Sequence, residues 1–419
     1  MITRILRITA LLGALAVSAC GKYEDNTTPP APTPVPPTPT PGENSLAVVV
    51  DQGPAALISA GQAAANSPFA SVTLCTPGRS ACETIDHLIV DTGSVGVRVL
   101  APALSGTAVP KPVGDPATGS PLRQCVQFAD GYTWGSVATA DVQIGSRKLS
   151  SLLINLIGDT AAGPAPASCV SGPAENTVAS FGANGVLGVG NFLHDCGSTC
   201  ETRAIAGSYY VCPGGACVPT RVSVSNQLPN PVAAMAADNN GIMVQLDTVA
   251  HPGAASASGT LFFGVGTQGN NDLGGARLFT LDVVGTFTTN FNGLATRGFI
   301  DSGSNGYFFN DSTLPPCGDS PSFYCPAVGQ VPTSVTRSAS IVGLNGANAT
   351  VGFTVDNADQ IFQVKGRTAF PGLAGPSVGL GAGVGSAFDW GLPFFYGRKV
   401  FVLFEEANLS GTTGPAVGF

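Results

Sequence analysis

The sequence predicts a mostly β protein built as two related lobes, and three observations carry that prediction. The 419 residues include 55 Gly and 33 Pro, with 44% hydrophobic and only 11% charged side chains. That is enough apolar material for a large core and too little charge for coiled coils or helical bundles. From about residue 46 onward, short runs of alternating or branched residues are bounded by Gly, Asp or Asn, the pattern of strands joined by turns. Finally, an apolar run ending in Asp, a hydroxyl residue, Gly and Ser occurs twice, at Leu88–Ser94 and at Gly298–Ser304. Each copy has a partner downstream, Gly185–Gly190 for the first and Trp390–Pro393 for the second. Two such pairs at similar spacing indicate an internal repeat.

The net charge of −8 argues against nucleic acid as a partner, because a phosphate backbone needs clustered Lys and Arg. Three histidines, His87, His194 and His251, make a three-His metal site a poor candidate.

In chain order, residues 1–19 read as a secretion signal. Arg4 and Arg7 supply its charge, and Ile8–Ala19 is an apolar stretch too short to span a bilayer. It ends in Val17-Ser18-Ala19-Cys20, which resembles the bacterial lipobox, whose cysteine becomes the lipidated first residue. The alternative is an ordinary signal with a chance cysteine. The lipobox reading implies a lipid anchor at Cys20. Gly21 then suggests sorting to the outer membrane, facing the periplasm or the exterior, with no transmembrane helix after processing. Residues 20–45 read as a tether, because the Pro/Thr run Thr27–Pro41 is neither helix nor sheet and stays extended. The body divides into a first lobe, 46–267, with a cysteine-rich insertion at 194–220, and a second lobe, 268–419.

Eleven cysteines less Cys20 leave an even ten, and an exported chain makes disulfides the default. Cys75/Cys82 and Cys317/Cys325 are spaced to staple local loops. Cys196, Cys200, Cys212 and Cys217 are expected to pair among themselves, with zinc as the alternative.

Ser71–Leu74, His87–Val90, Asp141–Ile144, Gly241–Leu246 and Thr260–Phe263 read as strands. The best helix signal is Pro231–Asp238, with Asn230 as N-cap and Gly241 beyond its end.

The chemistry is expected at the repeated motif. A carboxylate closing a buried strand, followed by a hydroxyl residue and Gly, sits in a tight turn that Gly lets another chain approach. If the two halves face each other, Asp91 and Asp301 meet and share one proton. The ionised member takes a proton from water while the protonated member polarises a peptide carbonyl. Such hydrolysis needs no metal, cofactor or histidine.

The chain resembles the pepsin-like aspartic proteases from about Ser67 to Glu405, in a bacterial lipoprotein form. Asp91–Ser94 and Asp301–Ser304 match the family's two active-site motifs, and Gly185–Gly190 matches the strand crossing behind the first. Phe128-Ala129-Asp130-Gly131 resembles the start of the flap hairpin, with Asp141–Gly145 leaving it. Ser258–Gly264 resembles the strand near the end of the first lobe, and Trp390–Phe404 the family's closing strand and helix segment. The resemblance implies a bilobal pepsin-like acid-protease fold whose cleft takes an extended peptide. It implies Asp91 and Asp301 as catalytic, supported by Thr92, Gly93, Ser94, Ser302, Gly303 and Ser304. Phe128 or Tyr132 would cover the substrate; Trp134, like Trp390, reads as a packing residue, with a place at the flap lining the cleft as the alternative for Trp134. The departures are Phe128 in place of the flap tyrosine, Arg98 in place of its supporting tryptophan, and Asp389-Trp390 where two aliphatic residues are usual.

Two decoys are set aside. Gly375–Gly379 spells a nucleophile elbow without its strand and helix, and Gly264–Gly269 spells a dinucleotide fingerprint that opens no helix. The expected function is an aspartic endopeptidase acting on peptides or proteins at the cell envelope. The alternative is a non-catalytic lipoprotein of the same fold that binds a peptide or protein partner.

Overall fold

In the computed structural model, the residues described are 42–116, 118–128, 130–326, 334–377 and 387–419. The expected signal, Cys20 and the tether up to residue 41 lie outside them, as do Ala129 and Val378-Gly379 of the motifs above.

The apolar runs read from the sequence fold as strands because burying alternate or branched side chains on a pleated surface satisfies the backbone at the same time. The fold is mostly β and bilobal, of the pepsin-like type. One sheet begins at the cysteine-rich insertion with Val218–Pro219 and Tyr209–Val211. It continues through the hairpin Leu122–Gln127/Tyr132–Ile144, then Arg147–Ile157, Val95–Leu100, Gly185–Val189, Cys82–Asp91 and Pro68–Cys75. From there it passes into an antiparallel run shared by both halves. Ser45–Val50, Ala257–Phe263 and Gly241–Leu246 come from the first half, and Lys399–Leu403, Ala416–Gly418 and Leu278–Thr280 from the second. A separate sheet in the second half orders Asn348–Asp356, Ser334–Val342, Phe287–Phe291, Leu294–Ile300, Phe388–Trp390, Tyr307–Phe308 and Ala374–Gly375.

The core of the second lobe is aromatic. Phe309 stacks on Phe388 at 5.0 Å and Phe388 on Trp390 at 4.4 Å, while Tyr307 meets Trp390 edge-on. Full burial of such a side chain stabilises by roughly 1.5–3 kcal/mol, and each ring pair adds about 0.5–1.5 kcal/mol. Trp390 is therefore a core residue, with its indole N–H donating to Thr289 Oγ1 at 3.1 Å.

One polar residue ties the halves together. Asn66 is fully buried at a φ of 51°, in the left-handed region that Asn tolerates. Its Nδ2 donates to Asn305 O and Phe370 O at 2.8 Å each. Its Oδ1 accepts from Phe370 N–H at 2.7 Å and from Tyr396 O–H at 2.8 Å.

The helix expected over Pro231–Asp238 is a run of turns instead. Asn230 does cap it, with Oδ1 accepting from Val232 N–H at 3.0 Å, but Asp238 turns to a φ of 55° before a regular helix is established. All ten cysteines of the body form disulfides, Cys75–Cys82, Cys125–Cys169, Cys196–Cys200, Cys212–Cys217 and Cys317–Cys325. Zinc at the insertion is thereby set aside, since its four thiols are consumed. Cys317 and Cys325 also lie beside Asp359, and their disulfide leaves no thiolate to join that carboxylate on an ion. Among the described residues, no helix is long and apolar enough to cross a membrane.

Candidate active site

The two motifs are built the same way. Leu88, Ile89 and Val90 are completely buried: Cys82–Asp91 is paired on both edges, by Pro68–Cys75 and Gly185–Val189, with Leu88 and Val90 packed into the main core on one face and Ile89 into a second apolar cluster on the other. The chain turns at Thr92-Gly93-Ser94 and returns as Val95–Leu100 on the far side of Gly185–Val189, with Asp91 and Gly96 both opposite Gly188. In the second half, Leu294–Ile300 runs parallel to Phe388–Trp390, and Tyr307–Phe308 returns on its other side. Both carboxylates thus stand at the end of a strand flanked by a crossing strand.

The turns lock to each other. Thr92 N–H donates to Ser302 Oγ at 3.1 Å and Ser302 N–H to Thr92 Oγ1 at 2.9 Å. The same hydroxyls donate onward, Thr92 to Ile300 O at 3.2 Å and Ser302 to Val90 O at 2.7 Å. Thr92 and Ser302 therefore grip the opposite half rather than their own carboxylates.

The other four support residues hold the acids. Gly93 N–H donates to Asp91 Oδ1 at 2.8 Å and Ser94 Oγ to Asp91 Oδ2 at 2.6 Å. Gly303 N–H donates to Asp301 Oδ1 at 2.7 Å and Ser304 Oγ to Asp301 Oδ2 at 2.8 Å. Each glycine also makes room for the opposite acid. A Cβ on Gly93 would lie 2.7 Å from Asp301 Oδ1, and one on Gly303 would lie 2.5 Å from Asp91 Oδ1. The two carboxyl groups are hydrogen-bonded to each other.

Asp91 is buried, whereas Asp301 and Ser94 keep partial exposure and Gly93 is exposed, so the pair opens to solvent on that side. The protein nonetheless surrounds Asp301 closely. That enclosure, reinforced by the charge and hydrogen bond of Asp91, pushes its pKa up to about 7.

A third carboxyl lies beside the pair. Asp389 is buried on the second crossing strand, with the Ser304 hydroxyl beside its side chain. Burial first, and the charge of Asp301 second, hold Asp389 well above the usual carboxylate range. The sequence signal was present, an acid where an aliphatic residue is usual, but spacing alone does not show that it faces Ser304.

The hairpin expected to act as a flap is closed at its tip by Phe128 N–H donating to Gly131 O at 2.8 Å. It is fastened on both edges. On one side, Cys125 is bonded to Cys169, Tyr132 exchanges backbone bonds with Pro173 and Glu175, and Trp134 N–H donates to Asn176 Oδ1. On the other, Tyr209–Val211 of the insertion extends the sheet at Leu122–Gln127. Phe128 is half-buried, edge-on to Phe181 at 5.9 Å. Tyr132 is half-buried against the Cys125–Cys169 cluster. Trp134 packs, and its alternative place covering substrate at the flap is set aside. It is 3% exposed, packs on Tyr210 and donates its indole N–H to Gly163 O, because the Cys125–Cys169 bridge builds a small core around it.

Arg98 anchors this arrangement. It pairs with buried Asp195 at 3.2 Å, and Asp195 also accepts from Tyr209 O–H at 2.7 Å and from Gln124 Nε2. Insertion and hairpin are thus joined through one carboxylate, whose pKa burial raises although Arg98 opposes the shift.

A solved structure similar to the chain is the aspartic proteinase from Irpex lacteus, at 15% sequence identity and a TM-score of 0.53, covering 89% of this chain and 96% of the other. At that identity the likeness shows the fold. Among curated proteins none matches. A family model matches residues 40–419, nearly the whole described body, and the chain accordingly belongs to the family described as protein of unknown function, DUF3443.

Proposed function

We propose that the protein is an aspartic endopeptidase that hydrolyses extended peptides through Asp91 and Asp301. The observation that carries the reading is the mutual hydrogen bonding of the two acids, each placed against the glycine of the opposite motif. Two carboxyl groups this close share a proton, because ionising both is costly. Asp301 holds that proton up to about pH 7 and donates it to the peptide carbonyl. Asp91 takes a proton from the attacking water. Collapse of the tetrahedral intermediate returns a proton to the leaving amine, and both products depart without a covalent enzyme intermediate.

The reading extends to place. A lipid on Cys20 and the Pro/Thr tether would hold the body off a bacterial membrane, on the envelope side where disulfides persist. Loss of membrane fractionation on Cys20→Ser tests this part.

The test of function is cleavage of a mixed peptide library by the disulfide-paired body, beside Asp91→Asn and Asp301→Asn. Cleavage abolished in both variants supports the reading. One observation favours a second reading, a peptide- or protein-binding protein without turnover: the hairpin is fastened by a disulfide where proteases of this fold use a flap. Binding of library peptides that are never cut would select it.

A further inference from the structure

The pseudo-symmetry of the site is broken at one side chain. Two residues before the crossing-strand glycine, the first half carries Val186, paired with Ile89 and fully buried. The second half carries Asp389 there, paired with Phe299 on one side and Phe308 on the other. The Asp301 side therefore carries an acid where the Asp91 side carries an aliphatic residue.

A serine hydroxyl has one proton to give. Ser304 donates to Asp301 Oδ2 at 2.8 Å and stands beside Asp389. It can donate to one of them, so the other must bring a proton of its own. The surroundings decide which. Asp301 has a further donor in Gly303 N–H and faces Asp91. Asp389 sits between aromatic neighbours, and among the described residues its buried Oδ1 has no hydrogen-bond partner. A charge without donors is the more costly one to bury, so the proton belongs on Asp389. Among the described residues, the ionisable groups that act on it are Asp301 and Asp91. Tyr307, on the adjacent strand, is engaged by Arg398.

We propose that Asp389 is a positioning residue of the pair: it stays protonated, donates to Ser304 Oγ and so turns the single Ser304 proton onto Asp301 Oδ2. The proton shared with Asp91 is then confined to Oδ1, the oxygen between the two acids. No proton is transferred from Asp389, and in Asp389→Asn the amide N–H replaces the donor. This inference rests on the dyad reading above, but its test does not require turnover.

The experiment is carboxyl-carbon NMR of aspartate-labelled protein from acid to mildly alkaline pH, on wild type, Asp389→Asn and Asp389→Leu. Peptide-cleavage pH profiles are recorded in parallel. Asp389→Asn is expected to leave the Asp301 midpoint where it is. Asp389→Leu removes the donor that polarises Ser304 and is expected to raise that midpoint by about half a unit. The alkaline limb of cleavage should move with it. If Asp389 is ionised instead, both variants remove a negative charge and lower the midpoint, which overturns the proposal. Identical midpoints in all three proteins also overturn it. Should the Leu variant misfold, the Asn variant still decides between no change and a fall. Absence of cleavage by wild type would refute the protease reading while leaving the titration result intact.

Discussion

Thr92 and Ser302 hold each other across the interface of the two halves, each giving its backbone N–H to the other's hydroxyl at 3.1 and 2.9 Å. Each hydroxyl then passes its own proton to the other half's strand end. Four bonds thus fix the relative position of two acids whose chemistry depends on their separation.

Thr92→Val keeps the shape and removes the hydroxyl. It strands the Ser302 N–H and the Ile300 carbonyl in a buried place, at about 1–3 kcal/mol each. A lowered urea midpoint, with cleavage falling more than the folded fraction accounts for, is the expected result.

Gly93→Ala places a methyl 2.7 Å from Asp301 Oδ1. The acids must separate, and misplacement on this scale costs about 100-fold in rate. Circular dichroism should stay native while kcat collapses.

The pH dependence follows from Asp301. Its ordinary value is 3.8 and its folded value about 7, so between these the native state keeps a proton that the unfolded chain releases. Stability from this source is greatest at acid pH and is lost as pH rises toward 7. Asp389, shifted upward by burial, adds a loss in the same direction. Asp301→Asn should flatten the fall in melting temperature over that window. The cleavage profile of the wild type should drop as pH passes about 7.

His251 acts at higher pH. Its hydrogen bond to Asp356, 2.9 Å long, holds its pKa above 6.5, so its contribution is complete below 6.5 and is lost as pH rises through the folded value. His251→Gln should remove that component from melting curves recorded on the alkaline side.

Breaking the Cys125–Cys169 bridge tests the fastened hairpin. The bond closes a loop of 44 residues, for which chain entropy gives about 4 kcal/mol. Cys125→Ala with Cys169→Ala should lose stability on that scale and expose 159–176 to limited proteolysis.

Much of this was legible in the sequence. The strands and the pairing of Asp91 with Asp301 follow from two copies of one pattern, because period and repeat are local signals. The roles of Ser94 and Ser304 follow from the same short turn. The crossing of Thr92 to Ser302 was not legible, since a hydroxyl that binds the opposite half looks like one that binds its own acid. What buries Trp134 was not legible, because the bridge that builds a core around it joins cysteines 44 residues apart. Pro231–Asp238 is preceded by a genuine cap at Asn230, but the left-handed turn at Asp238 was not legible.

Asn66 gives the repeat a limit. All four bonds of its side chain end in the second half, at Asn305, Phe370 and Tyr396. Strands from both halves also complete one shared sheet. The duplicated plan is therefore not a set of interchangeable modules. A polypeptide split at the seam would produce two raw-edged fragments, each with unpaired strands inviting association with another chain, and neither would be half of the folded protein.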